Sequence, residues 1–421
     1  MSHAGMARST FKETEPNLQY VREAQSSDDI LLTNSDPFAP QAPSPPLYHA
    51  VDDLSSAFGC RSELNTSTED GVVRVMALNN QLAKASSKMH RGFQAFLRNT
   101  GAYHPTIKGK RPSGPPPVSF TVDFDTGSSD LFLPAQTCQV NCEGHIAYDT
   151  DASSTARNLN RTFSLSFGDG STVHGNQFTD TVIIANLTAT NQTVGAASRY
   201  STGFAIDQFP PDGLMGMAFP QISNFPANPV FQTLIAEDKT TARQFAFKLT
   251  NSGSELFLGG ADNSQFIGSL SINPVVQEGF WQVSLDAVNV NGAAAVVAQS
   301  AIIDTGTTLV LGNWNSVSAV YAAIPGSQAA TSTIGPGFFT FPCDSDLSIS
   351  LTFGGKAFAI SPSTFNLGLA APGSSDCVGG IAAIKENFWI VGDVFLQNVY
   401  TVFDVVNPLV AIDMASIVWP S

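Results

Sequence analysis

At 421 residues the chain is long enough for two domains and a sizeable buried core. Only 13% of its residues are charged, against 34 Gly, 25 Pro and 30 Phe, and helix-period patterns are scarce, which is the balance of a mostly β protein. The formal charge of −15 argues against nucleic acid as a partner, because phosphate neutralisation needs Lys and Arg. No run of about 18 apolar residues is present to form a membrane-spanning helix.

Residues 1–70 are polar and Pro-dotted (PFAPQAPSPP) and are expected to be disordered. The opening MSHAGMARSTFKETEPNLQY has no apolar core and does not read as a signal peptide. Residues 71–111 form a basic region. No Asp or Glu occurs from 71 to 122, whereas Arg74, Lys84, Lys88, Arg91, Arg98, Lys108, Lys110 and Arg111 all fall there. From Pro112 onward 8 basic residues face 24 acidic ones. A basic segment ahead of an acidic body can fold back on it, or serve as a solvated linker. Val72 to Leu97 has the pattern of one or two amphipathic helices, and GKRPSGPPP is too rich in Pro and Gly for regular structure before Val118.

The chain then becomes strand and turn. SFTVDFDTGSSDLFLP carries Asp125-Thr126-Gly127-Ser128-Ser129 between two apolar runs, and SAIIDTGTTLVLG repeats it at Asp304-Thr305-Gly306-Thr307-Thr308. Each copy reads as strand, tight turn bearing an acid, strand. FSLSFGDGSTVHGNQF reads as a hairpin around Gly168-Asp169-Gly170, and DTVIIANLTATNQTVGAAS as two further alternating strands. An apolar-apolar-Gly unit follows each acid turn, ending at Gly216 (91 residues after Asp125) and at Gly392 (88 after Asp304). Two matches at nearly equal offsets point to an internal duplication. Short helices are expected over Pro229–Asp238 and Asn315–Ala323.

Five cysteines occur. Cys138 and Cys142 can close a small loop, Cys343 and Cys377 a longer one, and Cys60 is left over. No CxxC pair suggests zinc, so the set fits an oxidising compartment. Asn160-Arg-Thr, Asn186-Leu-Thr and Asn191-Gln-Thr are N-glycosylation acceptors and also lean secretory. His145 and His174 stand alone and read as ordinary loop or turn residues, with no metal assigned.

A duplicated turn can bring Asp125 and Asp304 together across a pseudo-twofold axis. Two adjacent carboxyls cannot easily both ionise, so they share a proton, and one serves as acid while the other serves as base. A water between them can then be aimed at an amide carbonyl. Gly127 and Gly306 let backbone N–H groups approach the carboxyl oxygens, Ser128 and Thr307 offer hydroxyls to the outer oxygens, and Thr126 and Thr305 can tie the turns together. The blander alternative, an Asx-type turn between strands, suffices for one copy and poorly explains two. Paired acids also serve glycoside hydrolysis, but the aromatic sugar platforms such enzymes tend to use are not apparent.

From about Val118 to Asp404 the chain resembles the pepsin-like aspartic proteases, and most of all their secreted fungal members. The resemblance rests on both DTG[ST] motifs, SFGDGS, DGLMGMAF, EGFWQVSLDAV and VGDVFLQNVYTVFD. It implies an all-β, bilobal fold with an N-terminal lobe over 112–245 and a C-terminal lobe over 246–421. It further implies a cleft between the lobes, Asp125 and Asp304 as the catalytic dyad, and endopeptidase activity at acid pH on protein or peptide substrates. No cofactor and no membrane partner is implied, and a monomer is expected. Cys138/Cys142 and Cys343/Cys377 sit where the family commonly has disulfides. The basic region resembles a prosegment covering the cleft, with Lys108 and Lys110 the candidates to reach the dyad.

Departures from the pattern are informative. Phe167 stands where the family has a flap Tyr, and Phe132 where it has the Trp that bonds to that Tyr, so both hydrogen-bond partners are replaced together. A working but less ordered flap with lower turnover is the expectation. The family's first strand and Gly-Thr-Pro turn are not legible before the first DTG, which leaves a sheet edge beside the active-site strand and raises the alternatives of a non-catalytic relative that binds peptides or a partner protein, or an inactive truncated gene product. The closing stretch VVNPLVAIDMASIVWPS also drifts from the family pattern. Asp123 lies two residues before Asp125, on the same strand face, and Asp169 lies in the flap hairpin. Related fungal enzymes carry acids at both places, which implies tolerance of Lys before the scissile bond beside a general preference for bulky apolar residues. Phe132 and Leu214 are expected to line the apolar pocket.

Overall fold

The structure, a computed structural model, describes residues 49–51, 118–167, 171–250 and 253–415. The basic region of residues 71–111, Cys60 and the hairpin tip Gly168-Asp169-Gly170 lie outside the described residues.

Strand β1 (His49–Val51) comes from the segment read as disordered. It pairs antiparallel with the edge of a later strand, Leu256–Leu258, whose backbone groups would otherwise lack sheet partners on that side. The N-terminal lobe is built on β2 (Val122–Asp125), β3 (Leu131–Pro134), β4 (Arg157–Ser166), β5 (Thr172–Ile184), β6 (Leu187–Tyr200) and β7 (Gly213–Gly216). They form one sheet in the order β2-β7-β3-β6-β5-β4. The sequence suggests separate strands after Phe178, but β5 runs unbroken for 13 residues. Between Phe178 and Ile184 there is no Gly, Pro or Asn, and Asp180 marks only a bulge in the pairing, between Asp180 and Val182. The chain first reverses at Ala185-Asn186, both left-handed at φ 47° and 62°.

Helix α1 (Val230–Ala236) leads into β8 (Gln244–Lys248), β9 (Glu255–Leu258) and β10 (Ser271–Pro274). The C-terminal lobe follows with β11 (Gln282–Val290), β12 (Ala293–Ile303), β13 (Val310–Asn313), α2 (Trp314–Ala322), β14 (Gln328–Ala329), β15 (Phe339–Pro342), β16 (Ile349–Phe353), β17 (Lys356–Ile360), α3 (Pro362–Phe365), β18 (Asn366–Leu369), β19 (Asp376–Gly379), β20 (Ile381–Ile384) and β21 (Trp389–Val391). Helix α4 (Asp393–Leu396) precedes β22 (Val399–Asp404) and β23 (Leu409–Met414). Asn313 starts α2 by accepting the Ser316 N–H at 3.0 Å, a side-chain cap that satisfies an otherwise free donor.

Three further sheets result. The C-terminal lobe holds a seven-stranded sheet, β17-β16-β11-β12-β21-β13-β20, and a smaller one, β14-β15-β19-β18. A six-stranded sheet, β1-β9-β8-β22-β23-β10, joins distant parts of the chain. The closing stretch that drifts from the family pattern still contributes β23, an interior strand of that sheet paired on both sides. The molecule is thus all-β and two-lobed, with few and short helices. Cys138–Cys142 and Cys343–Cys377 are both bonded, with Cα atoms 6.1 and 5.0 Å apart. No helix among the described residues is long and apolar enough to cross a membrane.

The duplication is visible in the pairing. β2 runs parallel to β7, with Asp125 beside Gly216, and β12 runs parallel to β21, with Ile303 beside Val391. Both apolar-apolar-Gly units therefore pack against an acid turn. A Cβ on Gly216 would lie 2.4 Å from the Ser129 nitrogen, and one on Gly392 would lie 1.9 Å from the Thr307 oxygen. Only glycine fits at either position.

Candidate active site

The two acid turns are near copies. In the first, Gly127 N–H donates to Asp125 Oδ1 at 2.9 Å and Ser128 Oγ donates to Oδ2 at 2.6 Å. In the second, Gly306 N–H donates to Asp304 Oδ1 at 3.0 Å and Thr307 Oγ1 donates to Oδ2 at 2.6 Å. Each turn is closed by an N–H three residues on, Ser128 to Asp125 O and Thr307 to Asp304 O, both at 3.3 Å. Each is also bonded to its glycine unit, through Met217 N–H to Asp125 O at 2.8 Å and Asp304 N–H to Val391 O at 3.0 Å.

The turns meet. Thr126 N–H donates to Thr305 Oγ1 at 3.1 Å, and Thr305 N–H to Thr126 Oγ1 at 2.9 Å. Each hydroxyl then donates across to the strand beyond, Thr126 Oγ1 to Ile303 O at 2.9 Å and Thr305 Oγ1 to Phe124 O at 2.6 Å. Asp125 is 1% exposed and Asp304 is fully buried, so their carboxyls are screened little by solvent.

Around the first turn, a groove is lined by Gly127, Ser128, Phe132, Phe167 and Leu214 among others. Phe132, fully buried, lies 6.0 Å from the Phe167 ring and edge-on to Tyr200 and Phe204 at 5.9 and 5.6 Å. Phe167 packs edge-on against Phe204 at 4.6 Å, a favourable aromatic geometry. The root of the flap is therefore packed against aromatic rings, within a cluster that also holds Leu165, Val173 and Leu214. Asp123 is buried on β2, in register with Leu214 of β7.

Two features were not anticipated from sequence. Phe204 sits behind the flap root, with its carbonyl accepting from the His145 ring at 2.9 Å. Asp130, five residues after Asp125, is buried and accepts from Ser223 Oγ at 2.7 Å, the Asn224 backbone and side chain at 2.9 Å each, and Phe225 N–H at 3.2 Å. Burial raises its pKa above the ordinary aspartate value, against the opposing pull of those donors. Asp130 was visible in DTGSSD, but its partners lie more than 90 residues downstream and no local pattern announces them. No cluster of His, Cys, Asp and Glu suited to a metal ion occurs among the described residues.

A two-lobed β fold with two interlocked Asp-Thr-Gly turns defines the aspartic protease class. The family model for eukaryotic aspartyl proteases matches residues 112–415. An aspartic protease of Phaffia rhodozyma is 41% identical over 351 residues, covering 80% of this chain and 85% of that protein. The major aspartyl peptidase 1 of Cryptococcus neoformans var. grubii is 31% identical over 318 residues, 69% of this chain and 64% of its own length. Pepsin A of the dog is 34% identical over 308 residues, 70% of this chain and 77% of the enzyme. The chain belongs to the eukaryotic aspartyl protease family, and it is an aspartic-type endopeptidase.

Proposed function

We propose that the chain hydrolyses peptide bonds at acid pH through a water activated jointly by Asp125 and Asp304. The observation that carries this reading is the matched bonding of the two carboxyls, each with its inner oxygen held by a glycine N–H and its outer oxygen by a hydroxyl. Such a pair titrates as a unit and holds one proton. The ionised carboxyl takes a proton from water as it attacks the carbonyl carbon, and the protonated one donates to the carbonyl oxygen. Collapse of the tetrahedral intermediate returns a proton to the leaving amine.

The apolar groove walls formed by Phe132, Phe167 and Leu214 favour bulky apolar residues beside the scissile bond. Asp123, buried on the same strand face as Asp125, and Asp169 in the flap hairpin would supply tolerance of Lys there. The basic region 71–111 acts as a prosegment whose charge pairing with the acidic body weakens as carboxylates protonate, with Lys108 or Lys110 reaching the dyad. The protein works as a monomer that is secreted or vacuolar, in keeping with its two disulfides.

The test is hydrolysis of a denatured protein substrate at acid pH with and without pepstatin. Pepstatin-sensitive cleavage is the expected result, and purified, acid-treated protein that cleaves nothing would overturn the reading. Peptide-library profiling then tests specificity, where Asp169→Ser should lower cleavage after Lys and leave cleavage after apolar residues intact.

A further inference from the structure

Five asparagines among the described residues have a left-handed backbone, namely Asn141, Asn160, Asn186, Asn191 and Asn291. Asparagine tolerates that conformation better than most residues, so turn geometry alone accounts for their presence. Their side chains divide them. Asn141 Nδ2 donates to Tyr200 O at 2.9 Å, and Asn291 Oδ1 accepts the Ser348 N–H at 2.9 Å, so both are tied into the protein. Asn160, Asn186 and Asn191 are exposed, and among the described residues none of their side-chain amides bonds to the protein. These three, and neither of the other two, have Thr two positions on, at Thr162, Thr188 and Thr193. Backbone geometry explains the asparagines but not the threonines.

The three also share a location. Asn160 sits in the bulge of β4 between the pairs Asn158↔Phe178 and Arg161↔Gln177. Asn186 is in the β5–β6 turn, next to the closing pair Ile184↔Leu187. Asn191 occupies the β6 bulge between Asp180↔Gln192 and Val182↔Ala189. Ser166↔Thr172, with Phe167 N–H donating to Ser171 O beyond it, closes the β4–β5 pair at the opposite end of the same sheet. At about 3.3 Å per residue, Asn160 lies about 20 Å, and Asn186 about 45 Å, along the strand path from that end. Among the described residues β4 is also one of the two edge strands of the sheet, the kind of edge that invites pairing with another chain unless it is blunted.

We propose that Asn160, Asn186 and Asn191 carry N-linked oligosaccharides that sheathe this end and outer edge of the N-terminal lobe. The co-reactant is a lipid-diphosphate oligosaccharide of the secretory membrane. A bond forms between the asparagine Nδ2 and sugar C1 as the C1–oxygen bond to diphosphate breaks. The amide gives up one proton and the lipid diphosphate leaves.

The test uses the full chain expressed behind a secretory leader in yeast, treated with peptide N-glycosidase in heavy-oxygen water and mapped by mass spectrometry. Conversion of at least two of the three asparagines to heavy-oxygen-labelled aspartate is the expected result, and unlabelled asparagine at two or three of them overturns the proposal. Asn160→Gln, Asn186→Gln and Asn191→Gln should each remove one step of the glycoform ladder. This readout is independent of proteolysis. Deglycosylated enzyme should keep its kcat/KM, and a large fall would overturn the placement of the glycans away from the cleft.

Discussion

Thr126 and Thr305, 179 residues apart, exchange backbone-to-hydroxyl hydrogen bonds that hold one acid turn against the other. The interlock is buried, so its groups have no water to fall back on. Thr126→Val would strand the Thr305 N–H and the Ile303 carbonyl at a cost of about 1–3 kcal/mol each. Thr126→Ser keeps the hydroxyl and should restore most of the loss. Chemical denaturation of both variants checks this, and equal stability of the two would show that the hydroxyl is idle.

Asp125→Asn and Asp304→Asn should each lower kcat by at least about 10³-fold, because each removes a group that must take or give a proton. Either Asn can still accept the neighbouring glycine N–H, so the fold should persist. Near-native circular dichroism together with lost hydrolysis is the expected pairing. Retained turnover in either variant would remove the shared-proton mechanism.

Much of this site was legible in the sequence, because the chemistry is carried by short contiguous motifs. A DTG turn fixes which atoms reach the carboxyl through local geometry alone, and Gly216 and Gly392 repeat at nearly equal offsets because each must press on its own turn. What escaped depends on distant partners. Nothing near Phe204 announces that it backs the flap root, and Asp130 reads as an ordinary turn acid until Ser223, Asn224 and Phe225 arrive from the far side of the lobe. The length of β5 is not legible for another reason. Strand periodicity does not say where a strand ends, and only turn residues do.

The ring-packed flap root allows a reversal experiment. Phe167 is 6% exposed and Phe132 fully buried, so Phe167→Tyr places a hydroxyl in an apolar cluster, at a cost of about 1–3 kcal/mol. Phe132→Trp overfills the same cluster at a cost of about 1–3 kcal/mol. Together the new indole and phenol can bond each other across the space where the rings now lie 6.0 Å apart. The double variant should recover stability, with a coupling of about 0.5–3 kcal/mol in a double-mutant cycle, and should show higher kcat/KM than either single variant. Strict additivity would mean that the two sites do not communicate.

Asp130 links the fold to pH. Burial raises its folded pKa above that of the unfolded chain, so the native state holds this proton more tightly. The stability it contributes is complete below the unfolded value and is lost as pH rises through the folded value. Asp130→Asn cannot ionise, so its stability should fall less steeply on going from about pH 4 toward neutrality. Its acid-side plateau should also sit lower by about 1–3 kcal/mol, because an amide nitrogen then faces donors from Asn224 and Phe225. Urea midpoints of the two proteins across that range decide the matter. The gap between the curves should narrow as pH rises, and curves that stay parallel throughout would assign the pH dependence to other carboxyls.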